Sequence, residues 1–182
     1  MRLERTQNSS GMLRIEWERM SLSVPLKFLQ DAFVASPRDS TEIMLGGKRI
    51  AVNYGRPSRR GRTIMGAVVP YGEVWRTGAN EATALTTDTD LVIGGVEVPR
   101  GAYTLYSVPS QTSWKLIINK QTGQRGTEYD RALDLARISL KKELLPHVVE
   151  KLTIRLGKKS EETGVLVVQW ESTSLAVNFS LK

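Results

Sequence analysis

From Ser40 to the C-terminus, apolar residues recur at every second position and are interrupted by paired glycines. Side chains alternate between faces only along an extended strand, so this rhythm restricts the chain to β-structure with tight reversals. The last stretch shows it most cleanly. Leu175, Val177, Phe179 and Leu181 share one face, and Ser174, Ala176, Asn178 and Ser180 share the other. Ile43 and Leu45 lead into Gly46-Gly47 and out through Ile50, Val52 and Tyr54, the pattern of a hairpin. Leu91–Ile93, Gly94-Gly95 and Val96–Val98 repeat it. Further strands are expected at 82–87, 103–108, 114–119, 136–140, 152–156 and 165–170, with a short helical turn within 129–135. About ten short strands with turns at this spacing predict an all-β fold, an antiparallel β-sandwich. Long helical periods and internal repeats are absent, which argues against a parallel α/β sheet or a propeller.

Residues 1–35 have a different texture. Leu13, Trp17 and Met20 fall at helical spacing, and Leu22, Leu26, Leu29 and Phe33 continue a rough three-to-four period that Pro25 interrupts. The expectation is a short N-terminal helical arm over 1–35, or a partly disordered extension, followed by one β-sandwich domain over 36–182. Such an arm would dock on the domain or on a second subunit, building a homo-oligomer.

Composition narrows the chemistry. A chain of 182 residues buries about two-thirds of its unfolded surface, enough for a core without staples. It contains no cysteine, which removes disulfides, thiol nucleophiles, iron–sulfur clusters and the usual zinc fingers. His147 is its one histidine, beside Pro146, with no Gly-x-Ser-x-Gly elbow anywhere to complete a triad. No EF-hand spacing and no phosphate-cradling loop is present, so no metal and no cofactor are expected. The 26 Lys and Arg exceed the 19 Asp and Glu, giving a formal charge of +7. Arg56, Arg59, Arg60 and Arg62 cluster in one loop, either solvated or paired with carboxylates elsewhere. No helix-turn-helix or aromatic-basic reader accompanies them, which argues against a nucleic-acid partner. No apolar run approaches the roughly 20 residues of a membrane-spanning helix. Lys27, Gln30 and Asp31 break the one stretch that faintly resembles a signal peptide. The chain as written is therefore expected in the cytoplasm, with a periplasmic or exported location requiring a different N-terminus.

One segment departs from the strand rhythm. Pro70-Tyr-Gly-Glu-Val-Trp-Arg-Thr-Gly-Ala-Asn-Glu-Ala-Thr83 packs two aromatics, a guanidinium, an amide, two carboxylates and two glycines ahead of a strand. Aromatic faces with fixed donors and acceptors suit a pocket for a polar small molecule. Arg76 can grip a carboxylate or phosphate, Asn80 both donates and accepts, and Glu81 can accept or act as a base. The competing reading is a structural brace, with Arg76 paired to Glu81, Trp75 plugging the core and Asn80 bonding turn amides.

These residues resemble the hallmark of a bacterial family, domain of unknown function DUF2911. Tyr54-Gly-Arg-Pro57, Gly61-Arg62, Gly101-Ala-Tyr-Thr-Leu105, Trp114 with Ile118-Asn-Lys120, and Gly126–Asp130 support the resemblance, which runs from about Ser36 to Lys182. It implies a β-rich domain and supplies no catalytic residues. Family members often carry export signals, which are not visible here, and Arg125 stands where the family pattern has an aromatic residue.

The leading expectation is a binding domain with no catalytic role, its pocket lined by Tyr54, Arg56, Tyr71, Trp75, Arg76, Asn80 and Glu81. Its ligand would be a saccharide or an anionic metabolite. One alternative is a carboxylate-dependent glycoside hydrolase using Glu81 with Asp130 or Asp134. The other is a structural or protein-interaction domain with no small-molecule site.

Overall fold

The structure, a computed structural model, describes residues 2–6, 10–17, 20–27 and 36–182, in two units that divide between Ala35 and Ser36. In the first unit β1 (Arg2–Thr6), β2 (Ser10–Trp17) and β3 (Met20–Lys27) form an antiparallel sheet in that order. This corrects the expected helical arm. Leu13, Trp17 and Met20 fit a helical spacing, yet Met20, Leu22, Val24 and Leu26 also alternate. The ladder uses that second period, setting Leu13 opposite Val24 and Ile15 opposite Leu22. Pro25 favours the same choice. It breaks a helix interior but is tolerated in β3, which among the described residues has a neighbour on one side only. Leu29 and Phe33, assigned to the same arm, lie outside the described residues.

The second unit is one antiparallel nine-stranded sheet. Its strands are β4 (Arg38–Leu45), β5 (Lys48–Gly55), β6 (Thr83–Thr87), β7 (Leu91–Ile93), β8 (Val96–Val98), β9 (Gly101–Val108), β10 (Trp114–Asn119), β11 (Asp134–Lys158) and β12 (Thr163–Leu181). They lie in the order β4-β5-β6-β9-β10-β11-β12-β7-β8. Both Gly-Gly pairs turn hairpins as expected. Gly46 and Gly47 have φ of +52° and +76°, the doubly positive turn that matches strand twist. The helical turn shrinks to a 3-10 turn at Arg131–Leu133, capped by Asp130.

Two strands are much longer than the alternation suggested. The stretches 136–140 and 152–156 are both parts of β11, and 165–170 and 174–181 both lie in β12. The ladder between β11 and β12 slips between Leu144 and Val149 and again between Val149 and Thr153. Pro146 sits in that bulge, where a missing N–H is tolerated, and Leu144, His147 and Val148 are exposed there.

Beyond the bulge, the second half of β11 reaches the opposite end of the sheet. Leu152 N–H donates to the Pro57 carbonyl at 2.9 Å, and Leu156 N–H donates to Thr41 Oγ1 at 3.2 Å. The sheet thereby curls around a core that includes Leu45, Val52, Leu91, Leu105, Ile118 and Leu152, all essentially without solvent contact.

The arginine-rich loop between β5 and β6 is held by its own side chains. Arg59 donates to the Arg62 carbonyl at 2.9 Å, while Arg62 donates to the Arg59 and Ser58 carbonyls at 3.0 and 2.8 Å. Two carboxylates pin it from below. Glu150 accepts from Arg60 N–H at 2.7 Å. Glu171 accepts from the N–H groups of Ile64 and Met65 and lies 3.5 Å from Arg59 Nε. Among the described residues, no helix is long and apolar enough to cross a membrane.

Glu171 is the part-buried anchor of this loop, so Glu171→Gln should weaken two charge-assisted bonds and an ion pair together. We expect a loss of about 1–3 kcal/mol in urea unfolding and faster tryptic cleavage at Arg59, Arg60 and Arg62. An unchanged cleavage rate would show that the loop is held by other contacts.

Candidate functional site

The Tyr71–Thr83 segment runs alongside β9 beyond the point where β6 stops. Trp75 and Ser107 exchange both backbone hydrogen bonds at 2.8 Å, and Gly72 N–H donates to the Pro109 carbonyl at 2.9 Å. This pairing sets the direction of each side chain. Trp75 turns inward, edge-on to Trp114 at 6.3 Å and stacked on Trp170 at 6.1 Å. Arg76, one residue on, belongs to the outer face, where its Cβ and Cδ carry Gly126 of the loop after β10. Trp75 and Arg76 therefore cannot line one wall.

Past Arg76 the segment folds tightly against the sheet. Thr77 Oγ1 bonds Ser107 Oγ at 3.0 Å, and Thr83 Oγ1 donates to the Thr77 carbonyl at 3.1 Å, with both threonines buried. Thr77 and Asn80 adopt positive φ, +49° and +64°. Gly55 at the end of β5 is the close-approach point, because a Cβ there would collide with the Ala79 carbonyl.

The remaining expected pocket residues are dispersed. Tyr54 is buried in the core, its hydroxyl 3.4 Å from Asp39 Oδ2. Arg56 joins three parts of the sheet. It lies 3.2 Å from Asp39, and it donates to the Leu152 carbonyl at 3.2 Å and to Thr153 Oγ1 at 3.3 Å. Tyr71 is on the surface with its ring over Gly66. Asn80 donates its amide to the Ser36 carbonyl at 3.3 Å, and its own carbonyl accepts from Gly126 N–H at 3.0 Å. Glu81 is exposed and pairs with Arg38 at 3.5 Å, not with Arg76, while its backbone bridges to Arg125. Trp75 as a core plug agrees with the brace reading; an Arg76–Glu81 pair is not formed. Among the described residues, Arg76 makes no hydrogen bond or ion pair at all.

Beside Arg76 lies a polar cluster that the alternation did not single out. Thr104, Tyr106 and Asn119 occupy the outer face of β9 and β10, yet all three are buried beneath residues 120–130. Thr104 donates to the Gln121 carbonyl at 2.7 Å and Tyr106 to the Glu128 carbonyl at 2.8 Å. Asn119 donates to the Asp130 carbonyl and to Asp134. Asp134 also accepts from Tyr129 at 2.7 Å and from Arg137 at 2.9 Å, which holds the Arg137 guanidinium above its ordinary value. Asp130 caps the 3-10 turn through Ala132 N–H. The two aspartates named for a hydrolase are thus both engaged in holding this loop. The readable signal was hydrogen-bonding residues at outward positions of two interior strands, where lysine or glutamate would serve a solvated face.

A family model described as a protein of unknown function (DUF2911) matches residues 36–179. The chain belongs to DUF2911. No curated protein and no solved structure matches it. The DUF2911 match begins where the second unit begins, and it takes in both the Tyr71–Thr83 segment and the polar cluster. Among the described residues of this DUF2911 chain, no group of three His, Asp or Glu could hold a metal ion. A shallow recess of about 400 Å³ lies elsewhere, between Gly94-Gly95 and Asn178, and the cation on its wall, Lys159, already donates to Asn178 at 2.7 Å.

Burial raises the phenol pKa of Tyr54, Tyr103, Tyr106 and Tyr129 above 10.0, with nearby carboxylates adding to the effect. The unfolded chain loses these protons near pH 10, while the native chain still holds them. The stability these four phenols contribute is therefore fully present below about pH 10 and is lost as pH rises through the native values. Phenolate absorbance should titrate at higher pH in the native protein than in urea; coincident curves would contradict the burial. At Gly55, replacement by Ala should cost about 1–3 kcal/mol in denaturant unfolding, because the obstructing atom is backbone.

Proposed function

We propose that this domain binds a small anionic ligand through Arg76, on the outer face beside residues 120–130. The observation that carries the reading is the idle guanidinium. Arg76 is partly buried and has five donors in a fixed fork, and no described group satisfies them. Three other arginines of the domain are committed: Arg38 to Asn53 and Glu81, Arg56 to Asp39, and Arg137 to Asp134. An arginine held in place by packing on its stem, with its head unpaired, is pre-organised for a bidentate carboxylate or phosphate.

The reading narrows the expected pocket. Tyr54, Trp75 and Arg56 serve the core and the closure of the sheet, leaving Arg76 with Asn80 and Glu81 at its border. The hydrolase alternative is the weaker one, since Asp130 and Asp134 are occupied and Glu81 lies exposed against Arg38.

Arg76→Met keeps the stem beneath Gly126 and removes the donors. Calorimetry against a panel of small carboxylates and inorganic phosphate should find an anion that binds the wild type. Charge-assisted bonds contribute about 1.5–3 kcal/mol, so the variant should bind that anion roughly 10- to 100-fold more weakly, with its unfolding midpoint unchanged. Equal binding by both proteins would remove Arg76 from the site.

A further inference from the structure

Residues 120–130 close over Thr104, Tyr106 and Asn119 and leave two amide oxygens of the segment without a donor. A hydroxyl has one proton to give. Thr104 gives its proton to the Gln121 carbonyl and Tyr106 to the Glu128 carbonyl. Toward Gln124 both hydroxyls can therefore only accept, and its Nε2 donates to them at 3.0 and 3.1 Å. The amide orientation is fixed by this count, and Oε1 must point away. Gln124 Oε1 is sealed from solvent and receives no hydrogen bond, and the same holds for Gln121 Oε1. Buried acceptors are seldom left without a donor, because such a group loses its water and gains nothing.

The same segment is also fastened to the Tyr71–Thr83 loop. It is joined to the Tyr71–Thr83 loop by two backbone bonds, Gly126 N–H to the Asn80 carbonyl at 3.0 Å and Ala82 N–H to the Gln124 carbonyl at 3.3 Å. It also rests on the Arg76 stem through Gly126, so the segment that carries the two amide oxygens is the one packed against this arginine.

We propose that residues 120–130 form a lid over a polar site, and that the ligand admitted beneath it is a polyhydroxylated acid. Its acid group pairs with Arg76, and its hydroxyls donate to Gln121 Oε1 and Gln124 Oε1. This rests on the anion-binding reading of Arg76 and adds the class of ligand and the means of entry. Closing the lid on such a molecule gives both amide oxygens donors, which makes closure and binding mutually reinforcing.

The test compares D-gluconate with hexanoate, two six-carbon acids that differ in hydroxyl groups, against the wild type, Arg76→Met and Gln121→Leu. Gln121→Leu removes an acceptor that nothing satisfies, so the free variant should melt at a higher temperature than wild type. In the wild type, gluconate should bind at least 10-fold more tightly than hexanoate and slow hydrogen exchange at Gly126. Gln121→Leu should bring gluconate close to the hexanoate level, and Arg76→Met should weaken both acids. If both acids bind wild type equally and Arg76→Met weakens both, the hydroxyl-reading lid is overturned while the anion site stands. If neither acid binds, the anion-binding reading fails and the lid proposal fails with it.

Discussion

The reciprocal backbone bond between Trp75 and Ser107 fixes the place of the Tyr71–Thr83 segment between β5 and β6. Of the 27 residues between these strands, it is the pair that sets which way Trp75 and Arg76 face against β9. Once residue 75 is paired to residue 107, parity does the rest. The tryptophan must enter the core and the arginine must leave it. The ring then meets Trp114 from β10 and Trp170 from β12, so that one loop residue ties together two strands that are not neighbours. Aromatic pairs of this geometry add about 0.5–1.5 kcal/mol each beyond the area they bury. Brace and site are therefore adjoining residues of one segment, with opposite duties.

The bulge in β11 is the second determinant. A strand of 25 residues could not stay flat and still serve a curled sheet. The slipped register around Pro146 lets its first half pair with β10 and its second half lie against β4 and β5. Arg56 works at that junction, spanning Asp39 on β4 and the Leu152–Thr153 backbone and hydroxyl of β11. The positive charge in this region is thus spent largely on closing the architecture, as Arg59 and Arg62 are spent on their own loop.

Much of the fold was legible because its signals are local. Gly46-Gly47 and Gly94-Gly95 can turn at positive φ wherever the chain puts them, and alternation in β5, β9 and β12 needs no knowledge of partners. Three features were not legible, each for a physical reason. Leu13, Trp17 and Met20 satisfy a helical period and sit within strands, since a short apolar series can fit both spacings. The alternation showed 136–140 and 152–156 as separate strands, because the bulge around Pro146 interrupts pairing without ending the strand. Glu81 was matched to the nearest arginine in sequence, but its partner, Arg38, comes from 43 positions away. For the site, Arg76 was named from composition alone. The outer cluster of Thr104, Tyr106, Asn119 and Gln124 stayed hidden because alternation distinguishes two faces and cannot say that a loop will bury the second.

The curl of the sheet also governs how the folded domain behaves toward other chains. An open sheet offers its first and last strands as templates on which a further strand can add. Here the first, β4, is met by the second half of β11, with Leu156 N–H already given to Thr41. The last, β8, has three residues, carries Glu97 and stops at Pro99. The first is not free, and the last is not long enough, to seed growth by strand addition. The nine-stranded domain should stay unpolymerised when concentrated, and any fibrillar material would have to arise from chains that had first lost this closure.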